Sequence, residues 1–200
     1  MASYYLGLDL GQVADYTGLC LVERVDNSAK CQYHVRHLQR FRLGMTYPDI
    51  AAEVAGMMGA EPLRSHGQLV VDQTGVGRPV VDLLRAAKLY CAAVTITAGD
   101  AASCEGGDYR VPKRELVSTL QVLLQSGRLK FAEGLPEVPT LIRELMAFQV
   151  KITAAANATF GAWREGSHDD LVLAVAMACW YAEHHGGPLV QWIGGADSIP

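Results

Sequence analysis

Three strand-like segments precede the first helical pattern of this 200-residue sequence, and this order restricts the possible folds more than any other feature. The first segment, residues 4–8, is apolar and rich in aromatic side chains, as buried strands often are, and it ends at Asp9. Residues 17–22 form a second apolar run. Residues 32–43 alternate apolar with polar or basic side chains, which is typical of a half-exposed antiparallel strand. The chain is therefore predicted to begin with three antiparallel strands.

Alternating helices and strands come after these segments. The patterns predict a helix, a strand that ends at Asp72, a helix and a strand, over residues 48–58, 68–71, 79–88 and 91–97. Strands separated by helices in this way form parallel crossover units. Three later helices are predicted, of which the last is almost wholly apolar and must be buried against the sheet; they cover residues 112–126, 140–147 and 170–184.

Other segments of the second half have weaker patterns. Residues 99–110 are polar and Gly-rich, and we predict a mobile loop there. Residues 148–163 are predicted to form a hairpin of two strands around residues 154–157, and the Gly-rich tail from Gly186 is expected to be loosely ordered. Because the length suits one domain and no boundary is visible, residues 1–200 are expected to form a single domain.

A sheet that begins with three antiparallel strands and continues with parallel ones, flanked by helices, has the order of the ribonuclease H-like fold. In such a sheet the ends of the first and fourth strands lie side by side, which would place Asp9 next to Asp72. We therefore predict an α/β protein with a central mixed sheet of this fold class.

The composition is that of a globular protein. Half of the residues are hydrophobic and 19% are charged. No long uncharged apolar run and no basic-then-apolar leader occurs, so neither a membrane span nor a signal peptide is expected. The five cysteines are scattered without metal-binding spacing, which favours reduced thiols in a cytoplasmic protein. The net charge of -4 argues weakly against nucleic-acid binding, because clustered carboxylates inflate it and bound metal would offset them.

Acidic side chains stand at the boundaries of three predicted elements. Asp9 and Asp72 each end a strand, and Asp169 and Asp170 stand at the start of the last helix. Mg²⁺ and Mn²⁺ prefer oxygen ligands, and two such ions about 3.5–4 Å apart can promote phosphodiester hydrolysis. Carboxylates that converge at one edge of a sheet would supply such a site, so all four are predicted to be catalytic metal ligands.

Each acid also has a simpler interpretation. Asp9 could accept hydrogen bonds from a neighbouring loop, and Asp72 could cap the turn at residues 74–75. Asp169 could be an N-cap, and Asp170 suits the positive end of the helix dipole. No single acid is decisive, and the metal-ligand interpretation depends on their convergence.

Further side chains are candidates for accessory roles. His168 precedes the acid pair and is a candidate for supporting a ligand or transferring protons, although a surface histidine is a simple alternative. His34 and His37 are expected on opposite faces of a strand, as surface or packing residues. Candidates for contacts with DNA phosphates, which could equally be solvated surface groups, are Lys113, Lys151 and Arg164.

Several segments together resemble the nuclease domain of phage terminase large subunits. In chain order they are GLDLGQVADYTGLCLV, VVDQTGVGRPVVDLL, VPKRELVSTLQVLLQSGRLKF, LIRELMAFQV and SHDDLVLAVAMA. The resemblance covers most of the chain, and its specificity comes from the ordered set. It implies a ribonuclease H-like fold and cleavage of double-stranded concatemeric DNA with two divalent cations, Mg²⁺ or Mn²⁺, during packaging.

The same resemblance implies roles for individual residues. Asp9 and Asp72 match the first two metal ligands of the family, and either Asp169 or Asp170 matches the third. Asp15 matches a position that is often acidic in the family and would be an outer or accessory ligand. The hairpin predicted at residues 148–163 matches one near the family's active site, where it could touch DNA.

The sequence departs from full terminase large subunits in one respect. Those proteins carry an ATPase motor before the nuclease, whereas this sequence has no GxxxxGK[ST] loop. It is therefore either an excised domain or a free-standing relative. The expected partners are double-stranded DNA and, for packaging, an ATPase motor domain, a portal and a small terminase subunit. No membrane is expected, and the location would be the host cytoplasm if the chain is viral.

Three other functions are compatible with parts of the sequence. An actin-like or sugar-kinase ATPase would use DLGQ and DQTGVG as phosphate loops, but 200 residues leave no room for a second copy of the fold. A Holliday-junction resolvase of similar fold would differ in the shape of its substrate rather than in its chemistry. A non-catalytic binding module would keep the fold without cleavage. Cleavage specificity, the physiological metal and the oligomeric state stay open.

Overall fold

A computed structural model describes residues 3–11, 15–26, 30–75, 77–155 and 169–186, and over residues 148–155 it describes the backbone alone. The described strands form one sheet and are β1 (Ser3–Asp9), β2 (Gly18–Asp26), β3 (Cys31–Arg40), β4 (Gly67–Asp72), β5 (Cys91–Thr97), β6 (Ser103–Glu105), β7 (Asp108–Pro112) and β8 (Leu129–Phe131). The described helices are α1 (Tyr47–Gly59), α2 (Leu63–His66), α3 (Gly77–Ala86), α4 (Lys113–Gln125), α5 (Val138–Ala155) and α6 (Asp170–His185). No described helix is long and apolar enough to cross a membrane.

The sheet has the mixed topology predicted from the sequence. Its strand order is β6-β7-β5-β4-β1-β2-β3-β8. β1, β2 and β3 pair in antiparallel fashion, whereas β4 lies parallel to β1 and β5 lies parallel to β4. The three leading antiparallel strands, the parallel strands after them and the α/β fold class are thus confirmed.

Helices cover both faces of the sheet, and each face has its own hydrophobic core. α6 lies on one face against β1 and β2, with α4 and α5 in contact with it, and it contributes buried side chains such as Leu171 and Met177. α1 and α3 cover the opposite face through Val54 and Leu84. α6 is apolar around nearly its whole surface because the sheet and the other two helices enclose it.

Two glycines allow α6 to lie directly against the sheet. A Cβ atom on Gly7 of β1 would lie 2.1 Å from the carbonyl oxygen of Ala174, and one on Gly18 of β2 would lie 2.6 Å from that of Asp170. Both distances are shorter than the 3.0 Å that real Cβ atoms respect, so any larger residue would push the helix away. This close approach brings the N terminus of α6 over the end of β2.

The segment of residues 99–110, predicted as a mobile loop, instead contains a hairpin that extends the sheet. β6 pairs antiparallel with β7, and β7 pairs parallel with β5. Gly106 and Gly107 join β6 to β7 with φ values of 61° and 88°, and positive φ at both turn residues is characteristic of two-residue hairpins with Gly-Gly. The loop prediction was wrong because the polar composition hid this turn signal.

The hairpin predicted at residues 148–163 is wrong in its first half. α5 continues through Ala155, while residues 156–163 lie outside the described part of the chain, as does the tail beyond Gly186. The alternating run FQVKIT looks like a strand, but short runs do not separate strand from helix, and extending an existing helix needs no new nucleation. The short elements α2 and β8 were not predicted at all.

A bulge in β3 overturns the predicted arrangement of its histidines. The register of β3 against β2 slips by one residue at Arg36. His34 and His37 therefore lie on the same face of the strand rather than on opposite faces. Their ring nitrogens lie within hydrogen-bonding distance of the side chains of Gln32 and Gln39, respectively.

A hydrogen-bonded ion pair fastens the C-terminal end of α6 to the sheet. The Glu183 carboxylate accepts hydrogen bonds from the Tyr33 hydroxyl of β3 and from the Arg128 guanidinium, just before β8. Partial burial raises the pKa of the Glu183 carboxyl, but the bonds from Arg128 and Tyr33 outweigh it, and the pKa lies below its usual value.

We expect Glu183→Gln to lower the free energy of unfolding by about 1–2 kcal/mol at neutral pH, because charge-assisted hydrogen bonds at a partly exposed site are lost. A carboxyl with a lowered pKa in the folded state stabilises the fold above its unfolded pKa, and this contribution disappears as the pH falls through the folded value. The difference between wild type and variant should therefore shrink below about pH 4. Denaturant unfolding across pH measures it, with the exposed Glu105 changed to Gln as control. A difference independent of pH would contradict an ionic contribution.

Candidate active site

Asp9 and Asp72 end two neighbouring parallel strands. Leu8 of β1 pairs with Val71 of β4, and the aspartates are the next residue of each strand. Because parallel strands end at the same edge of a sheet, the two carboxyl groups emerge together. Both residues are buried, with exposed fractions of 7% and 8%, and a hydrogen bond joins their side chains.

The N terminus of α6 brings two more acids to this edge. Asp169 occupies the N-cap position and Asp170 is the first residue of the helix, which begins over Gly18, the residue that pairs with Asp9. Burial raises the pKa of the Asp9 carboxyl well above its usual value. The neighbouring carboxylates raise the same pKa further, most strongly Asp72, then Asp170 and then Asp169. We refer to these four residues as the acid cluster.

The turn after β4 holds Asp72 in place. Its Oδ1 accepts a hydrogen bond of 2.7 Å from the backbone N–H of Thr74. Thr74 is in turn anchored to β5, because its Oγ1 accepts a hydrogen bond of 2.8 Å from the backbone N–H of Ile96. Asp72 therefore caps the turn, as its simpler interpretation proposed, and also faces Asp9.

Glu144 of α5 caps α6 in place of Asp169. Glu144 Oε2 accepts hydrogen bonds from the backbone N–H groups of Leu171, at 3.0 Å, and Val172, at 3.2 Å. Asp169 stands at the N-cap position without a capping hydrogen bond from its own side chain. Burial raises the pKa of Glu144 to about 7, although the bond from Val172 and the charge of Arg40 oppose the shift.

Two basic side chains form ion pairs with the acids of α6. Arg40, the last residue of β3, places Nη2 3.0 Å from Asp170 Oδ2. Lys113, the first residue of α4, places Nζ 3.1 Å from Asp169 Oδ2. Asp170 is buried and Asp169 is half-buried, so the two members of the pair differ in their access to solvent.

The donor atoms of the acid cluster suit a hard divalent cation. They are carboxylate oxygens, which Mg²⁺ and Mn²⁺ prefer, and the buried Asp9 carboxyl lies among like charges that a cation would neutralise. Within the described residues, no three His, Cys, Asp or Glu side chains are already arranged to hold a metal ion. Lys113 and Arg40 engage two of the carboxylates in this arrangement. The residues fit the cation in their chemistry, with these ion pairs as its competitors.

The other predicted site residues are placed less centrally. Asp15 is exposed in the segment before β2, with its carbonyl oxygen against Gly11. Lys151 belongs to α5, but its side chain lies outside the described part of the structure. Arg164 and His168 also fall outside the described residues.

Arg40 and Glu144 were not predicted as site residues. Arg40 could have been suspected from its place at the end of a strand next to the strand that comes after Asp9. Glu144 carries no such local signal, because it reaches the site only through the packing of α5 on α6.

The chain is similar in sequence and in fold to terminase domains. Residues 6–181 match the family model described as the terminase RNaseH-like domain. The large terminase nuclease from thermophilic phage G20c is 22% identical with a TM-score of 0.58, over 91% of this chain and 82% of that chain. The large terminase from a second thermophilic bacteriophage is 12% identical with a TM-score of 0.51, over 72% of this chain and 31% of that chain.

A third structure with the same fold comes from an animal virus. The human cytomegalovirus terminase nuclease domain, Mn soaked and inhibitor bound, is 15% identical with a TM-score of 0.50, over 90% of this chain and 82% of that chain. No curated protein sequence matches the chain. At these identities the solved structures show a shared fold, and they leave the chemistry to be argued from the site.

Proposed function

Because the chain belongs to the family of terminase RNaseH-like domains, we propose that it is an endonuclease that cleaves double-stranded DNA by metal-dependent hydrolysis. The observation that carries this proposal is the acid cluster at one edge of the sheet. Burying several carboxyl groups together destabilises a fold unless a cation or donor satisfies them. Such clusters of strongly shifted carboxyls are characteristic of functional sites.

Asp9, Asp72 and Asp170 are the proposed inner ligands, with Asp169 beside them. We favour Asp170 over Asp169 because it is buried and because its charge acts more strongly on Asp9. Two divalent cations, Mg²⁺ or Mn²⁺, would activate a water molecule and stabilise the leaving oxygen of the phosphodiester. The protein's own part is to hold the carboxylates on the rigid ends of β1, β4 and α6.

Accessory roles stay with the residues predicted for them. Lys113 stands next to the acid cluster, which supports a contact with the DNA phosphate near the scissile bond. Lys151 and Arg164 are proposed to contact the DNA backbone further away. His168 and Asp15 are proposed as accessory groups of the metal site.

The larger assembly is part of the same proposal. The chain spans 31% of the full-length large terminase from the second thermophilic bacteriophage, and residues 1–200 are proposed to be one nuclease domain. We propose that it acts in the host cytoplasm with an ATPase motor domain, a portal and a small terminase subunit.

We expect supercoiled plasmid to be cleaved in the presence of Mn²⁺ and to stay intact with EDTA. Mn²⁺ should also raise the melting temperature without DNA, since an ion that binds only the folded state stabilises it. Asp108→Asn is a suitable control, because Asp108 pairs with Arg85 on the edge hairpin, and it should cleave like the wild type. Intact plasmid with Mn²⁺ or Mg²⁺ would contradict the proposal. Faster cleavage of four-way junctions than of linear duplex, by a dimer, would favour a Holliday-junction resolvase instead.

A further inference from the structure

Arg40 lies in the same row of the sheet as Asp9. Arg40 of β3 pairs with Gly18 of β2, and Gly18 pairs with Asp9 of β1. The end of β3 is therefore part of the edge at which the acid cluster lies. Because Gly18 has no side chain, α6 can begin directly above it, and Asp170 comes within reach of Arg40.

The guanidinium of Arg40 is held between an aromatic ring and two carboxylates. Its central carbon lies 4.1 Å from the centroid of the Tyr16 ring. Nη2 lies 3.0 Å from Asp170 Oδ2 and 3.5 Å from Glu144 Oε1. Stacking fixes the plane of a guanidinium, and Nη2 then fixes where the Asp170 carboxylate sits. Through Glu144 the same group also reaches the residue that caps α6.

This orientation is not the one that stability alone would select. Arg40 Nε and Glu144 Oε1 are both buried without a hydrogen-bond partner. A buried polar atom left without a partner is destabilising, and few such atoms persist in a fold without a reason. The arrangement instead directs the guanidinium at Asp170.

We propose that Arg40 is a positioning residue for the reaction, which orients the Asp170 carboxylate and, through Glu144, the N terminus of α6 for metal binding. This inference rests on the proposed function. It differs from a purely electrostatic effect in sign. Removing a positive charge beside carboxylates should by itself strengthen cation binding, whereas removing the group that orients a metal ligand weakens it, typically by about 10–100-fold.

The test is calorimetric titration of Mn²⁺ into the wild type, Arg40→Met and Arg36→Met, in the absence of DNA. Arg36→Met is the matched control, because Arg36 belongs to the same strand and pairs with Glu23 on the surface. We expect the Kd for Mn²⁺ to rise by about 10-fold or more in Arg40→Met, and to stay within about twofold of wild type in Arg36→Met. Unfolding in EDTA checks that each variant is folded, and a merely structural role would lower the melting temperature without changing the Kd of the folded protein.

Unchanged or tighter Mn²⁺ binding by folded Arg40→Met would overturn the role of Arg40. If Arg40→Met does not fold, Arg40→Lys carries the same test: a lysine keeps the charge but cannot stack and reach both carboxylates as a planar fork, so a wild-type Kd would overturn the role. Failure of the proposed function has a different signature. A wild-type protein that binds Mn²⁺ but cuts no DNA contradicts the nuclease proposal alone, and one that binds no Mn²⁺ contradicts both.

Discussion

Asp9→Asn is expected to abolish DNA cleavage and, at the same time, to raise the melting temperature of the metal-free protein. Cleavage should fall by more than about 100-fold, because even residues that only support metal ligands contribute about 10–100-fold. Stability should rise because the buried Asp9 carboxyl lies next to three other acids, which together with burial raise its pKa. Removing that charge should add about 1–2 kcal/mol, or about 2–8 °C in a protein of this size.

The stability gain should depend on pH. A carboxyl whose pKa is raised in the folded state weakens the fold as the pH rises through its range, so the asparagine variant gains most at neutral pH and above. At low pH the wild-type carboxyl is protonated as well, and the gain should vanish. Thermal unfolding in EDTA at several pH values and single-turnover plasmid cleavage with Mn²⁺ measure the two effects, with Asp108→Asn as control. A loss of both stability and cleavage would show that Asp9 is needed for the fold itself.

Gly18→Ala should damage both the fold and the site through a single methyl group. The new Cβ would lie 2.6 Å from the carbonyl oxygen of Asp170, which is backbone and cannot rotate away. The N terminus of α6 must therefore move, and we expect a loss of about 3 kcal/mol, the upper end for overpacking, and about 6–12 °C in melting temperature. Displacing Asp170 by about 1 Å should also lower cleavage by about 100-fold.

Gly56→Ala is the matched control for this substitution. Gly56 lies within α1, and a Cβ there would meet nothing within 4 Å. The same chemical change should therefore stabilise the protein by about 0.5–1 kcal/mol and leave cleavage unchanged. A Gly18→Ala protein with the stability and activity of the wild type would show that α6 does not lie on β2 as described.

These substitutions are connected by one property of the site, which is that its parts come from elements far apart in sequence. Asp9 and Asp72 are set by strand ends, Asp170 by the glycine-lined contact of α6 with the sheet, and Arg40 by the end of β3. Glu144 then supplies the capping bonds of α6, so the side chain of Asp169 remains near the other acids. A change in any of these elements is expected to reach the acid cluster.

Local pattern was enough to predict the centre of the sheet. An apolar run that stops at a polar residue indicates a buried strand and its end, and the runs that end at Asp9 and Asp72 are correct to within one or two residues. The hairpin of β6 and β7 and the length of α5 were missed, because short segments of polar or alternating residues support more than one local conformation. Tertiary contacts decided between them, through the parallel pairing of β7 with β5 and the packing of α5 on α6.

The sequence by itself determined which residues end the central strands and begin the last helix, because those positions depend on periodicity and on neighbours a few residues away. Only the tertiary structure decided how the acids are held. The contact between Arg40 and Asp170 spans 130 residues of chain, and that between Glu144 and Leu171 spans 27. Contacts of this kind exist only after two separately formed elements have packed together, so no local pattern of side chains records them.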